Sequence, residues 1–316
     1  MGRSLQAILA TDERALLLCL GAVAALLLLA ALLLLHMAAR RRGPKPSRLF
    51  RSAREVLFVL AGLGLLCVMD GLLEPYWPRV THITIPCSKL PHGARFRLVQ
   101  ISDLHSEAKP RLEKRLPEII AAQKPDAIAF TGDALNSRDG LPVFRDCMTR
   151  LARIAPTLAV KGNWDLYADY ANLDMYGGTG VKLLDAGAVP VATGGATVWI
   201  AGAALWGDWR IEAALERVPP GVPTVLLYHM PSGVDLAAKR GVDLVCVGHT
   251  HGGQVALPFY GALVDLSRSG KRYEAGLYRN GETWLYVNRG IGMEAGLPVR
   301  FFCRPEIAVI DLVGEK

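Results

Sequence analysis

The chain has 316 residues, of which 51% are hydrophobic, and a formal charge of +7 at pH 7. This composition excludes a disordered chain and is rich in apolar residues for a purely soluble protein. The positive charge lies mainly in residues 1–79, which carry ten Lys/Arg and five Asp/Glu, whereas residues 80–316 carry 26 and 24. The second part is nearly neutral, so we do not expect nucleic acid as a partner, which would require a basic surface.

Two apolar stretches lie near the start of the chain. Residues 15–35 carry no charge and have about the length of a transmembrane helix. Because a basic segment follows them instead of a small-residue cleavage site, we expect a retained membrane helix and not a signal peptide. The second stretch, over 56–73, is borderline in length. It predicts either a second membrane helix or an interfacial or core helix.

The loop between the two stretches, 36–55, is strongly basic. It contains Arg40, Arg41, Arg42, Lys45, Arg48, Arg51 and Arg54 against a single acid, Glu55. The positive-inside rule places this loop in the cytoplasm. Two spans would then put the following domain outside the cytoplasm and one span would keep it inside; we favour two. We therefore expect a membrane anchor over 1–79 and a separate domain over 80–316.

Short apolar runs rich in β-branched residues begin at about residue 80. They predict strands at 96–102, 126–131, 157–161, 197–202, 224–229, 243–247, 283–288 and 307–312. Helical patterns lie between several of them, at 111–123, 142–154 and 209–217, with Pro117 as a site where the first helix would kink. Strands that alternate with helices indicate a layered α/β domain.

Asp, Asn and His side chains directly follow five of these strands. The strand ends read Asp103-x-His105, Gly132-Asp133, Gly162-Asn163-Trp164-Asp165, His229 and Gly248-His249-Thr250-His251. Ligands of open α/β sheets bind at the carboxyl ends of strands, so these side chains are expected to meet. Carboxylate, imidazole and amide groups suit Mn, Fe or Zn ions.

The number and spacing of these residues predict more than one ion. The candidate ligands are Asp103, His105, Asp133, Asn163, His229, His249 and His251. Seven are too many for one ion and enough for two if a carboxylate bridges them. Residues i and i+2 of an extended strand point to the same side. The pairs Asp103/His105 and His249/His251 have this spacing, so each pair either binds one ion together or divides between two ions.

In this order the motifs resemble those of the calcineurin-like metallophosphoesterase family, which read D-x-H, G-D, G-N-H-D/E, H and G-H-x-H. The resemblance covers about residues 94–313. The stretches 251–254, 286–292, 298–300 and 304–307 look like one branch of it. That branch contains membrane-anchored bacterial phosphodiesterases, including UDP-2,3-diacylglucosamine pyrophosphatase-type enzymes of lipid A biosynthesis.

The resemblance implies a four-layer αββα sandwich with a two-metal site at the sheet edge, and we favour Mn. One ion would be held by Asp103, His105, Asp133 and His251, and the other by Asp133, Asn163, His229 and His249. Asp133, Asn163 and His229 would thus be catalytic, with a metal-bridging hydroxide as nucleophile. We expect Asp165 to orient a histidine. Arg289, beside a glycine-rich turn, is either a phosphate contact or an ordinary surface arginine.

One position departs from the family pattern, because Trp164 stands where the family usually has histidine. That histidine is thought to contact the scissile phosphate or to protonate the leaving group, whereas an indole N–H is only a donor. A leaving group that needs little protonation would tolerate the change best. Trp164 therefore favours a pyrophosphate or an activated phosphodiester, or else it is a packing residue in an enzyme of reduced activity.

Together these features predict a membrane-anchored phosphohydrolase of the bacterial inner membrane, with its catalytic domain outside the cytoplasm. Its expected partners are the membrane and a phosphoester, such as UDP-2,3-diacylglucosamine or another lipid-linked substrate. No protein partner is evident from the sequence. The alternative is a non-catalytic or weakly active membrane sensor that binds metal or phosphate; the complete ligand set favours the enzyme.

Overall fold

The structure is a computed structural model that describes residues 21, 24–34, 36–37, 47–167, 170–205, 207–263, 270–294 and 298–315. Part of the first predicted membrane helix, 15–35, lies outside the described residues, and within it Ala24–Leu34 is a short apolar helix. Arg40, Arg41, Arg42 and Lys45 of the basic loop also lie outside them.

The second apolar stretch forms helix α1, Arg48–Leu73, which continues into a 3-10 turn at Glu74–Tyr76. The segment Arg51–Tyr76 is long and apolar enough to cross a membrane, and among the described residues no other helix meets both conditions. Most of its large apolar side chains are exposed, including Val59, Leu66 and Leu73. This exposure is unlike that of a core helix. The number of spans stays a prediction.

Among residues 79–315, those that the structure describes form two six-stranded sheets and one small hairpin. The first contains Arg79–Pro86 (β1), Arg95–Ile101 (β2), Ala127–Phe130 (β3), Thr157–Ala159 (β4), Lys182–Leu183 (β5) and Glu306–Val313 (β14), in the order β1-β14-β2-β3-β4-β5. The second contains Gly187–Ala192 (β6), Thr197–Gly202 (β7), Thr224–Leu227 (β8), Leu244–Val247 (β9), Gly276–Asn280 (β12) and Thr283–Val287 (β13), in the order β12-β13-β9-β8-β7-β6. A small hairpin pairs Ala256–Leu257 (β10) with Gly261–Ala262 (β11).

Helices cover the outer faces of both sheets. Leu116–Ala121 (α2) and Leu141–Ala152 (α3) pack on the first sheet, and Asp208–Leu215 (α4) and Val234–Lys239 (α5) pack on the second. Between the sheets lies a third apolar cluster, to which Leu98 and Ile310 contribute from one sheet and Ile200 and Leu227 from the other. Helix, sheet, sheet and helix therefore follow one another in four layers.

The α/β class and all eight predicted strands are confirmed, with ends shifted by up to two residues. The predicted helix over 111–123 is shorter, since α2 begins at Leu116 with Pro117 in its first turn. Proline is favoured there because the first helical N–H groups have no intrahelical partner. Pro117 therefore starts this helix and does not kink it. Strand β6 was not predicted, because Gly187 and Pro190 disfavour strand except at a sheet edge, which is where β6 lies.

Candidate metal centre

The carboxyl ends of the parallel strands meet at one edge of the sandwich, and the loops that follow them carry the candidate ligands. Asp103 and His105 follow β2, Asp133 follows β3 and Asn163 follows β4. From the second sheet, His229 follows β8, and the pair 249 and 251 follows β9. All seven side chains are buried except that of His249, which is half-buried.

Five of the seven residues have a left-handed backbone. The φ angles are 50° at Asp103, 43° at His105, 57° at Asp133, 70° at His249 and 51° at His251. This region is uncommon for residues other than glycine, and such strain persists only where the surrounding structure enforces it. Both pairs therefore lie in sharp turns beyond the strand ends, so the alternation of an extended strand does not set the directions of their side chains.

The side chains form two groups, in each of which the candidate ligand atoms lie within 4.8 Å of one another. The first group is Asp103, His105 and His251, and the second is Asp133, His229 and His249. In the first, the Nε2 atoms of His105 and His251 are 3.2 Å apart, and that of His251 is 3.5 Å from Asp103 Oδ1. Asp103 and His105 thus belong to one group, whereas His249 and His251 divide between two.

Asp133 lies between the two groups. Its Oδ2 atom is 3.2 Å from Nε2 of His229 in its own group and 3.8 Å from Nε2 of His105 in the other. The Oδ1 atom of Asn163 is 3.0 Å from the same His229 nitrogen, which adds a neutral oxygen to the second group. One carboxylate is therefore within a few ångströms of both sets of donors.

The donors fit divalent cations. Carboxylate oxygens, imidazole nitrogens and an amide oxygen converge in a buried space, and this mixture suits Mn, Fe or Zn. Burial lowers the pKa of His105 to about 4, so this imidazole is neutral and has a free lone pair. Burial, His105 and Arg300 hold the pKa of His251 well below its usual value. Neutral imidazole is the form that binds a metal ion.

The charges in the second group are arranged differently. Burial acts to lower the pKa of His229, but the Asp133 carboxylate outweighs it and raises the pKa to about 9. Reciprocally, burial would raise the pKa of Asp133, yet His229 and the hydrogen bond from it hold that pKa below its ordinary value. Metal binding here must therefore displace a proton, which makes the affinity pH-dependent.

The comparisons with known proteins agree with this geometry. The family model for calcineurin-like phosphoesterase matches residues 96–253, the part of the chain that contains all seven candidate ligands. The chain belongs to the calcineurin-like phosphoesterase family. This makes it a metal-dependent phosphohydrolase of a family that uses a dinuclear divalent metal centre.

Three relatives show how far the similarity extends. The uncharacterized metallophosphoesterase YkuE of Bacillus subtilis is 36% identical over 252 residues, which are 76% of this chain and 87% of that protein. The phosphodiesterase YaeI of Escherichia coli is 32% identical over 251 residues, covering 76% and 90%. A transmembrane protein with metallophosphoesterase domain from Bos taurus is 28% identical over 288 residues, covering 81% and 61%.

Main-chain groups orient several side chains of this phosphoesterase. The Nδ1 atom of His229 lies 2.7 Å from the carbonyl oxygen of Thr131, which turns Nε2 towards Asp133. The carboxylate of Asp103 accepts a hydrogen bond from the main-chain N–H of His249 at 3.2 Å. Such partners around a ligand fix its orientation before a metal ion binds.

Asp165 holds the main chain and not a histidine, which corrects the expectation for it. Its buried carboxylate accepts hydrogen bonds from the N–H groups of Asp133 at 2.9 Å, Ala134 at 2.8 Å and Gly162 at 2.9 Å. Burial and the nearby Asp133 raise the pKa of Asp165 to about 6, against the effect of these amide donors. Asp165 therefore ties the loop after β3 to the loop after β4.

Arg289 is paired within the protein. Its guanidinium lies 3.1 Å from Oε1 of the fully buried Glu306, and its main-chain N–H donates to Oε2 of the same residue at 3.2 Å. The side chain is 30% exposed, so it is not an ordinary surface arginine. A phosphate oxygen would have to compete with Glu306 for this guanidinium.

Sequence reasoning missed Arg300, a fully buried arginine behind the first ligand group. Its guanidinium donates hydrogen bonds to the carbonyl oxygens of Gly292, Arg289 and Cys303 and lies 3.4 Å from Nδ1 of His251. A single arginine in a loop normally indicates a surface position. The stretch 298–300 resembles one branch of the family, but only the fold brings these carbonyl groups together and shows that Arg300 lies behind the first ligand group.

Trp164 lies against the site. Its main-chain N–H donates to Asp133 Oδ1 at 2.8 Å, and its ring meets the His105 ring edge-on with 5.4 Å between centroids. The indole therefore packs beside a candidate ligand, and its N–H can donate a hydrogen bond but cannot act as an acid at neutral pH.

Proposed function

We propose that this phosphoesterase is anchored in the membrane and hydrolyses a phosphodiester or pyrophosphate bond in a lipid-linked substrate, with two Mn ions as its preferred cofactors. The observation that carries the proposal is the position of Asp133, whose carboxylate lies between two complete groups of metal donors. A site for a single ion, or a site with a purely structural role, does not require a carboxylate between two groups of donors.

The ligand assignments follow the two groups. Asp103, His105 and His251 would hold one ion, Asn163, His229 and His249 would hold the other, and Asp133 would contribute to both. Two ions at such a site lower the pKa of a water molecule and neutralise charge on the phosphate. Asn163 is a neutral ligand, so it leaves the positive charge of the second ion undiminished. Asp165 keeps the bridging carboxylate in position through the main chain.

The type of bond follows from Trp164. The indole cannot supply a proton to a leaving group, so the reaction should favour groups that leave as weak bases, such as a phosphate in a pyrophosphate. The name of the Escherichia coli relative, a phosphodiesterase, supports a diester over a monoester. Bonds with a poorly activated alkoxide leaving group should react slowly.

Membrane anchoring rests on α1. Its N-terminal end carries Arg48, Arg51 and Arg54, and Tyr76 and Trp77 are exposed where it ends. Basic residues mark the cytoplasmic end of a membrane helix, and tyrosine and tryptophan are enriched at interfaces. In this orientation the catalytic domain lies outside the cytoplasm, at a bacterial inner membrane.

The side of the membrane decides between substrates. UDP-2,3-diacylglucosamine requires a cytoplasmic domain, because nucleotide-linked precursors are made there, and an external domain acts on another lipid-linked phosphoester. We expect a phosphatase reporter fused after residue 316, one that is active only outside the cytoplasm, to be active. An inactive phosphatase fusion together with an active cytoplasmic reporter would favour the UDP-linked lipid.

The hydrolytic activity is tested with the full chain purified in detergent. With Mn it should hydrolyse bis(p-nitrophenyl) phosphate, and Asp133→Asn should lower the rate at least about 100-fold because both ligand groups lose a charge. The control is Asp146→Asn, since Asp146 is exposed on α3 away from the site. If Asp133→Asn were as active as the unaltered protein, the assignment of Asp133 as a metal ligand would be contradicted. If the unaltered protein bound Mn but hydrolysed no phosphoester, it would be identified as a sensor.

A further inference from the structure

A cluster of exposed apolar side chains lies beside the candidate metal centre. Phe259 and Tyr260 form the tip of the β10–β11 hairpin, Leu257 ends β10, and Phe302 projects from the loop before β14. Their exposures are 110% for Phe259, 61% for Tyr260, 41% for Leu257 and 59% for Phe302. We call these four residues the apolar rim. A soluble surface rarely concentrates large apolar side chains in this way.

Two of the rim residues are exposed despite an unfavourable backbone. The φ angle is 67° at Phe259 and 49° at Phe302. This conformation is a genuine outlier for a bulky side chain and has an energetic cost. The Phe259 ring is fully exposed, and the Phe302 ring, although it meets the Phe301 ring edge-on with 4.7 Å between centroids, is still 59% exposed, so packing against the protein offsets little of the cost. Insertion of the two rings into lipid would offset the cost, because it would remove their apolar surface from water.

Three of the four rim residues line a cavity that reaches the residue after the candidate ligand His251. The cavity has a volume of about 330 Å³, and its lining includes Leu257, Phe259 and Phe302 together with Gly252, Glu274 and Arg289. Gly252 directly follows the candidate ligand His251, whose carbonyl oxygen accepts a hydrogen bond from the Cys303 thiol at 3.0 Å. A molecule in this cavity would therefore lie beside the loop that carries His251 of the first ligand group.

The rim is also continuous with the end of α1. On one side of Phe302, the main-chain N–H of Arg300 donates to the carbonyl oxygen of Gly71 at 3.1 Å. On the other side, the N–H of Cys303 donates to Glu74 at 3.2 Å. One more residue along, the Arg304 guanidinium donates to the carbonyl oxygen of Trp77 at 2.8 Å. The loop that carries Phe302 is thus bound to the point where α1 ends.

The polar neighbours of the rim are those of a membrane interface. The ammonium group of Lys271 lies 3.3 Å from the centre of the Tyr260 ring, and the Arg304 guanidinium lies 4.3 Å from the centre of the Trp77 ring. Aromatic residues beside cations are favoured at the headgroup level, where rings contact lipid and cations contact phosphate. The Arg304–Trp77 pair lies directly after the membrane helix, a position that a lipid surface explains better than a protein partner.

We propose that the apolar rim inserts into the interface of the same bilayer that α1 crosses, so that the cavity opens to lipid and the metal centre takes its phosphoester from the membrane. The proposal rests on the membrane anchoring proposed above. The rim would hold the apolar tail of the substrate while its phosphate lies towards His251. The chemical class of substrate is therefore an amphipathic lipid whose phosphoester lies close to its apolar part.

The test uses the full chain in nanodiscs of phosphatidylethanolamine and phosphatidylglycerol. Phe259 is replaced with the photo-crosslinking residue p-benzoylphenylalanine, and covalent lipid adducts are measured by mass spectrometry. Glu282, which is 96% exposed and precedes β13 at the opposite end of the sheet from the site, is the negative control. Leu65, exposed on α1, is the positive control. We expect at least tenfold more lipid adduct from position 259 than from position 282.

The controls separate this proposal from the anchoring on which it rests. If position 65 gives adducts but positions 259 and 282 give equally few, the proposed membrane insertion of the rim is overturned and the proposed anchoring through α1 is retained. Loss of the Leu65 adducts would overturn the anchoring, and the rim proposal with it. Adducts from positions 65 and 259 but not from 282 support both.

A kinetic test compares two substrates with the same scissile bond, dodecyl p-nitrophenyl phosphate and methyl p-nitrophenyl phosphate. The double variant Phe259→Ser and Phe302→Ser should lower the ratio of their kcat/KM values about tenfold. Leu277→Ser, which alters an exposed apolar side chain on β12, should leave the ratio unchanged. A ratio unaffected by the double variant would overturn the role of the rim in substrate binding. If the unaltered protein hydrolyses neither compound, the proposed activity is contradicted. The crosslinking experiment then still tests whether the apolar rim inserts into the membrane.

Discussion

The carboxylate of Asp165 accepts a hydrogen bond from the main-chain N–H of Asp133 at 2.9 Å. Asp133 has a left-handed backbone, and its side chain lies between the two groups of metal donors. Asp165 also accepts from the N–H of Gly162, which precedes Asn163. One buried carboxylate therefore positions two candidate ligands, and it does so through the main chain.

Replacing Asp165 with Asn should weaken metal binding without unfolding the protein. An amide offers one acceptor oxygen where the carboxylate offers two, so the N–H groups of Asp133, Ala134 and Gly162 can no longer all be satisfied. We expect the affinity for Mn to fall about 10–100-fold. Calorimetric titration with Mn checks this, and circular dichroism checks the fold. Asp146→Asn is the control, and an unchanged affinity in Asp165→Asn would show that the amides are held by other contacts.

Gly162 is a position where a methyl group should disrupt the site. A Cβ atom there would overlap the carboxylate and the main-chain nitrogen of Asp133, both of which are buried. Gly162→Ala should therefore displace the Asp133 carboxylate and lower the hydrolysis of bis(p-nitrophenyl) phosphate at least about 100-fold. Gly194→Ala is a matched control, because no atom lies within 4 Å of the Cβ position at Gly194. Similar activity of the two variants would mean that Asp133 can move without consequence.

Trp164→His should change the preference for leaving groups. The ring lies beside His105, so a histidine there is close enough to the site to donate a proton to the departing oxygen. We expect the rate to rise about tenfold more for methyl phenyl phosphate, which has the poorer leaving group, than for methyl p-nitrophenyl phosphate. Trp164→Phe removes the indole N–H without adding an acid and should affect both substrates equally. A uniform change in Trp164→His would argue against the leaving-group explanation.

The ion pair between Arg97 and Asp311 should make stability depend on pH. It joins β2 to β14, with an N–O distance of 2.7 Å, and the hydrogen bond from Arg97 holds the pKa of Asp311 below its usual value. The folded state therefore favours the ionised carboxyl group. The stabilisation is complete above the pKa of the unfolded state, about 4, and is lost as the pH falls through the lower pKa of the folded state.

Asp311→Asn should consequently lower the free energy of unfolding by about 1 kcal/mol at pH 7 and by less as the pH falls below about 4, given the partial exposure of the pair. Urea unfolding of the full chain in detergent, followed by near-UV circular dichroism, measures both values. Glu282→Gln, in an exposed ion pair with Arg279, should have little effect at either pH. A loss of stability that stays constant between pH 7 and pH 3 would exclude the titration of Asp311 as its cause.

Patterns along the chain were sufficient to predict the α/β class, the eight strands and the candidate ligands, whereas the division of these ligands into two groups was implied by the family resemblance of the motifs. Each strand is a short apolar run, and each of these ligands lies within a few residues of a strand end, so the evidence for them is local. Strand β1 was not predicted, because its residues pair with β14 more than 200 positions away. Helix α2 began later than expected, since Pro117 is compatible with a first turn but not with the middle of a helix.

The amino-acid sequence by itself determined which residue types end the strands and in what order, because burial and strand propensity act over a few neighbouring positions. Only the tertiary structure decided that Asp165 binds main-chain amides and not a histidine. It also decided that Arg300 is buried beside His251 and that the loop carrying Phe302 joins the end of α1. These relationships depend on contacts between loops far apart in the chain, and such contacts exist only once two sheets have packed and brought their carboxyl ends to one edge.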